Sequence, residues 1–160
     1  VEGITLFTPK CTLVPAHFFE PASSRDILGE VVVLDSSDIV RYIEVPQYDA
    51  VLVYAVPNEA LSAVPELYEI LRSLPSCPEY NKVLASWQEG YLSIAIAEGG
   101  SLRLANVFTA PDFTTAEYYI FLAMKSLQLN PEVSTICWRH ALGAEDEMSL
   151  YRYFKSVDRV

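Results

Sequence analysis

Two histidines, His17 and His140, and three cysteines, Cys11, Cys77 and Cys137, are the chain's whole stock of soft metal ligands. No two of them stand at the short spacings a zinc site needs, and neither histidine belongs to an HExxH-like pair. No metal site is therefore expected. Three widely separated cysteines imply no disulfide framework and fit a reducing, cytoplasmic setting. Basic residues are scarce too: 11 Lys and Arg stand against 21 Asp and Glu, a formal charge of −10. So acidic a surface repels a phosphate backbone unless it carries a local basic patch. The one basic cluster, Arg152, Lys155 and Arg159, is diluted by Asp158 and reads as cations gathered at the end of a helix. Neither a nucleic-acid nor a membrane partner is expected. The longest apolar run, residues 118–124, stops at Lys125, well short of the ~20 residues of a membrane span. No basic-then-apolar leader opens the chain. It begins with Val1 rather than Met, so further sequence is expected ahead of it.

What is present is core-forming material. The 160 residues are 51% hydrophobic and include 10 tyrosines, enough for one ordinary domain or two small lobes. Residues 4–7 ("ITLF") read as a short strand. Pro15 suits the opening of one helical turn before Pro21. Ser23 stands three residues ahead of Asp26, and Gly29 supplies a stop, so a short helix is expected over 24–28. "VVVLD", "VRYIEV" and "AVLVYAV" follow as strands rich in β-branched and aromatic residues. The last, apolar throughout, suits a strand covered on both faces. Asn58 then offers a cap to a helix whose stripe is Leu61, Val64, Leu67, Leu71 and Leu74. Pro65 inside that stripe predicts a kink or a fresh helix start. "LPSCPEY", with two prolines, is the expected boundary between a partial lobe over 1–75 and a second lobe over 79–160.

The second lobe reads β-β-β-α-β-α. "NKVLASW", "YLSIAIA" and "LRLANVF" are strands. The helix beginning "FTTAEYY" has Thr114 as cap, Glu117 as capping-box partner, and Phe113 with Tyr118 as staple; Asn130-Pro131 ends it. Ile120, Ala123, Met124 and Leu127 form its apolar face, widened by Tyr119 and Leu122. "VSTICW" is a fourth strand, and "EDEMSLYRYFKSV" a last helix with Leu150, Phe154 and Val157 inward. Between the second and third strands stands Glu98-Gly99-Gly100. A three-residue loop there pairs Ile96 with Leu102 and Ile94 with Leu104, gathering the large apolar side chains on one face, with Gly100 left-handed. Both glycines then serve a turn and no ligand is required.

This order resembles one lobe of the actin-like ATPase superfamily, a ribonuclease H-like α/β lobe here preceded by a partial second α/β lobe. "FTPKCTLVPAHFF", "YDAVLVYAVP", "LRLANVF", "TTAEYYIFLAMKSLQLNP" and "SLYRYFKSV" further resemble an uncharacterised family of Bacteroidetes proteins, degenerate members of that superfamily. The resemblance implies where nucleotide chemistry would sit. Each lobe of an active member opens on a hairpin whose Asp and following Gly receive phosphate and hydrated magnesium. The matching turn is Trp87-Gln88-Glu89-Gly90, which lacks the Asp and carries a bulky Trp. The Gly-Gly motif against adenosine belongs after "VSTICW", where Arg139-His140-Ala141-Leu142-Gly143 has one glycine. No cofactor and no catalytic residue is assigned, and cofactor-binding residues are left open. The expected function is non-catalytic, through contacts with an unknown protein partner or with itself. The alternatives are a divergent nucleotide-binding ATPase or kinase-like enzyme, and a dimeric scaffold.

Three smaller constellations have simple readings. Asp35-Ser36-Ser37-Asp38 lacks the further ligands of a cation loop and reads as a solvated turn. Glu145-Asp146-Glu147 is the acidic start of a helix. Tyr118 and Tyr119 read as packing residues rather than a base-stacking platform.

Overall fold

A computed structural model describes residues 5–58 and 61–160. In its first half, β2 (Cys11–Pro15), β3 (Ile39–Val45) and β4 (Ala50–Val56) form an antiparallel sheet in the order β2-β4-β3. β4 is buried at all seven positions, as its unbroken apolar run predicts. Val51, Val53 and Ala55 meet Leu28 beneath α1 (Ser24–Gly29), while Leu52, Tyr54 and Val56 face the opposite way. The sequence reading missed β2, which occupies "CTLVP" just before a single 3-10 turn at Ala16–Phe18. It also placed a strand at "VVVLD", where there is none. The backbone donors of Val31 and Val32 are taken by Leu28 O, and that of Asp35 by the Asp38 carboxylate. The segment alternates Val33 outward and Val32 and Leu34 inward, but closes the helix end instead of joining a ladder.

β1 (Thr5–Leu6) runs parallel to β5 (Val64–Pro65), and α2 (Glu66–Ser73) begins directly after Pro65. Pro65, at φ −69° and ψ 150°, is the extended residue before a fresh start. The helix expected from Asn58 would run through residues 59–60, which lie outside the described residues; Leu61 is exposed and in a turn. Leu67, Ile70, Leu71 and Leu74 are fully enclosed between the two sheets, against Leu52 and Val56 on one side and Leu84, Ala95 and Ala97 on the other.

The second sheet has five strands in the order β10-β9-β6-β7-β8. β6 (Asn81–Gln88), β7 (Tyr91–Glu98) and β8 (Ser101–Thr109) are an antiparallel meander, and β9 (Thr135–Trp138) and β10 (Ser156–Arg159) add in parallel. α3 (Phe113–Ser126) and α4 (Ala144–Tyr151) belong to its second face, where Ile120, Met124, Leu150 and Phe154 pack on Leu92, Ile94, Ile96 and Trp138. The expected last helix is therefore short by half. Lys155 N bonds Ser134 O and turns the chain into β10, so that Val157 is buried from a strand. A helix dipole thus explains at most Arg152; Lys155 pairs instead with Glu79 at 3.4 Å.

Two local expectations need correction. α3 is capped by Asp112, whose carboxylate accepts from both Thr115 N and Thr115 Oγ1 at 2.8 Å, and not by Thr114. Those donors hold the Asp112 carboxyl below its usual range. Glu117 is no capping-box partner; it is buried and accepts from Ser149 Oγ on α4 at 2.8 Å. The β7–β8 hairpin, too, has a two-residue loop. Ala97 pairs with Leu102, and a bulge at Arg103 brings Ile96 opposite Leu104. Leu102 thereby faces α2 with Ala105 and Val107, while Leu104 and Phe108 face α3. The one-face argument failed because this sheet is covered on both faces, so either side welcomes an apolar residue. The positive φ, 58°, is at Gly99.

Candidate functional site

The turn Trp87-Gln88-Glu89-Gly90, which stands at the place of the superfamily's phosphate hairpin and was not expected to hold phosphate, closes β6–β7. Gln88 pairs with Tyr91, and Glu89 and Gly90 have φ of 52° and 80°, the signature of a tight two-residue hairpin. It shares a cleft of about 320 Å³ with Ala141, Leu142 and Gly143, the loop at the place where the superfamily's adenosine motif would stand. The fold thus brings together the two segments that the sequence singled out. Their chemistry is not that of a phosphate cradle. Gly90 O accepts from Ala110 N at 2.7 Å, and Trp87 Nε1 donates to Ala110 O at 2.8 Å. The Trp87 ring meets Phe113 edge-on at 5.5 Å, and Phe113 in turn meets Trp138. The indole is a clamp between the hairpin and the start of α3. The ionisable groups lining the cleft are Glu89 and Asp146, with no Lys or Arg. Burial, and after it neighbouring Glu145, raise the Asp146 carboxyl above its ordinary value.

The adenosine-side loop is committed elsewhere. Arg139 turns its guanidinium to Glu66 at the start of α2, with Nε–Oε2 at 2.8 Å and Nη2–Oε1 at 3.0 Å. Glu66 is 1% exposed. His140 Nε2 lies 3.2 Å from the same Oε2, off the line of a hydrogen bond, and Phe7 meets the imidazole edge-on. This two-pronged pair joins the first half of the chain to the second. Both the hydrogen bonds and the opposite charge raise the Arg139 pKa. Sequence reasoning missed it because 73 residues separate the partners. Its one signal was a Glu directly after a helix-starting proline.

The other sequence candidates are structural. Lys10 Nζ sits 2.7 Å from Asp38 and 3.6 Å from Asp35, so an ammonium fills the place a cation would take. Asp38 is held below its usual carboxylate range by Lys10 and by the backbone donor of Asp35. Cys77 and Cys137 join one core cluster, and contact with Cys77 together with burial pushes the Cys137 thiol up. Cys11, paired in register with Tyr54, packs half-buried against the same cluster. No group of three His, Cys, Asp or Glu suited to a metal occurs among the described residues. Tyr119 stacks on Phe108 at 4.6 Å, as a packing residue should, whereas Tyr118 is 59% exposed. Leu122, expected on the buried face, is also largely exposed. Among the described residues, no helix is long and apolar enough to cross a membrane.

Comparison with solved structures defines the class. The chain is similar to a protein of unknown function with an actin-like ATPase fold from Bacteroides thetaiotaomicron. Identity is 19%, TM-score 0.79, and the match covers 99% of this chain and 67% of that one. The chain therefore has the actin-like fold, and its larger sheet, β10-β9-β6-β7-β8, with α3 and α4 on one face, is consistent with the actin-like lobe expected, with β10 added where a helix was foreseen. A PilM–PilN type IV pilus biogenesis complex matches at 14% identity over 94% of this chain and 65% of that chain, with a TM-score of 0.47. Residues 3–157 match the model of the family described as "Protein of unknown function (DUF3822)", and the chain belongs to that family. No curated protein matches it.

Proposed function

We propose that this chain is a non-catalytic member of the actin-like fold that works through protein contacts in the cytoplasm. The observation that carries the reading is the state of the phosphate-side turn. Its Trp87 is wedged against Phe113 and bonded to Ala110, and the ionisable groups that line its cleft are both acids, with no Lys or Arg among them. Phosphoryl transfer depends on cations and free backbone donors aimed at the phosphates. The two sheets fit two lobes divided near residues 75–79, held as one unit by α2 and by the Glu66–Arg139 pair. A phosphate-release assay with magnesium and ATP tests the reading against a divergent ATPase. Release at the buffer rate is expected. Turnover that Trp87→Ala or Asp146→Asn alters would overturn it.

A further inference from the structure

α3, the loop after it and the end of α4 border a groove of about 820 Å³. Its floor is apolar: Phe121, Leu129 and Pro131, with Tyr153 standing 46% exposed at one wall. Phe121 meets Tyr153 edge-on at 4.9 Å and stacks near Phe154 at 5.8 Å, so the aromatic wall is anchored in the core. Beyond the groove's lining, the same helix leaves Tyr118 and Leu122 59% and 47% exposed, one turn apart, with Lys125 one turn after Leu122. Large apolar side chains left in water along a continuous line mark an interaction surface.

Charge says what the groove accepts. The chain carries 11 Lys and Arg against 21 acids. Among the described residues, the side chains of only three of those cations lack an ion pair and a hydrogen bond: Lys125, Arg152 and Arg159. Two of the three, Lys125 and Arg152, flank this one groove, and Glu132 is its single acid. On a molecule of charge −10, unspent cations framing an apolar floor make a local inversion of sign.

We infer that the groove between α3 and α4 docks a segment of a partner protein that presents a bulky apolar side chain flanked by acidic residues. The apolar side chain fills the space between Phe121, Leu129 and Tyr153, and the acids meet Lys125 and Arg152. Anchor and rim divide the work in the usual way, the buried side chain giving affinity and the charges giving on-rate and selectivity. The inference deepens the binding-protein reading and rests on it.

Selection from a random linear peptide library displayed on phage, against the folded protein, tests it. Enriched peptides are expected to share an aromatic or aliphatic residue beside Asp or Glu. A synthetic peptide of that consensus should bind ~tenfold more weakly to Lys125→Glu/Arg152→Glu, and more weakly as salt rises. Both substitutions are at exposed positions, so an unchanged melting temperature separates lost binding from lost folding. Tyr153→Ser should weaken the peptide without changing its salt dependence. Three results would overturn the inference. One is the absence of enriched peptides; another is a consensus without acids, or one indifferent to the charge reversals. The third is a dimer by light scattering that the charge reversals dissociate, which would make a second copy the occupant. Nucleotide binding with peptide binding intact would instead sink only the non-catalytic reading.

Discussion

Replacing Arg139 by Met should strip the countercharge from a carboxylate that has almost no access to water. Glu66 is 1% exposed and receives both prongs of the guanidinium, at 2.8 and 3.0 Å. Removing one partner of a buried pair costs ~3–5 kcal/mol, because the other charge stays behind. The Arg139 side chain is 23% exposed, so water can enter the space it leaves, and the lower end, about 3 kcal/mol, is the better expectation. For a domain of this size each kcal/mol moves Tm by ~2–4 °C, giving a fall of ~6–12 °C. Glu66→Gln should cost less, ~1–2 kcal/mol, since it keeps one acceptor and leaves a cation that can hydrate. The double variant Glu66→Gln/Arg139→Met should be more stable than Arg139→Met alone, because no charge is then stranded. Urea denaturation of the four proteins, with m-values compared, reads the coupling directly. An Arg139→Met protein within 2 °C of the parent, or strictly additive effects, would refute the claim that this pair holds the two sheets together.

Glu117 gives a pH test. Burial raises its carboxyl above the ordinary value, so the native state favours the protonated form, and the stability it contributes below the unfolded pKa is lost as pH rises through the folded one. Glu117→Gln should therefore raise Tm at pH 7, with the gain vanishing below ~pH 4 in a Tm-versus-pH series. Gly99→Ala should cost ~1–2 kcal/mol by chemical denaturation, since φ is 58° and the new Cβ would stand 2.9 Å from the Tyr80 ring. Gly100→Ala meets no atom within 4 Å and should be near neutral; a reversal of that order would restore the three-residue loop. Asp112→Ala should lower Tm and Asp112→Asn less so, the loss in Asp112→Ala fading as acid protonates the parent carboxylate.

The fold was legible wherever a single local cue decided it. β4 announced itself by seven apolar residues in a row, and α3 by its long apolar run, although its cap is Asp112 and not the expected Thr114. Patterning failed where a second partner decided the outcome. "VVVLD" has the residues of a strand but spends its donors on α1 and on Asp38. "SLYRYFKSV" has the spacing of a helix, yet β9 offers an open parallel edge that captures Ser156–Arg159. The β7–β8 register was misjudged because α2, covering the opposite face, cannot be seen in the hairpin's own sequence. For the site, the two segments around the cleft were identified and the missing Asp was visible. What Trp87 and Arg139 do instead depends on Ala110, Phe113 and Glu66, distant in sequence and brought near only by folding.

Thermal unfolding with and without millimolar magnesium–ATP tests the central claim most directly. A ligand present at 100 times its Kd and bound only by the native state adds ~2.7 kcal/mol, or ~5–11 °C for a chain of this size. With Trp87 clamped on Phe113 and only Glu89 and Asp146 as ionisable groups lining the cleft, no rise in Tm is expected with ATP or ADP. A saturable rise that Trp87→Ala or Asp146→Asn changes would contradict the account and restore a nucleotide to this fold.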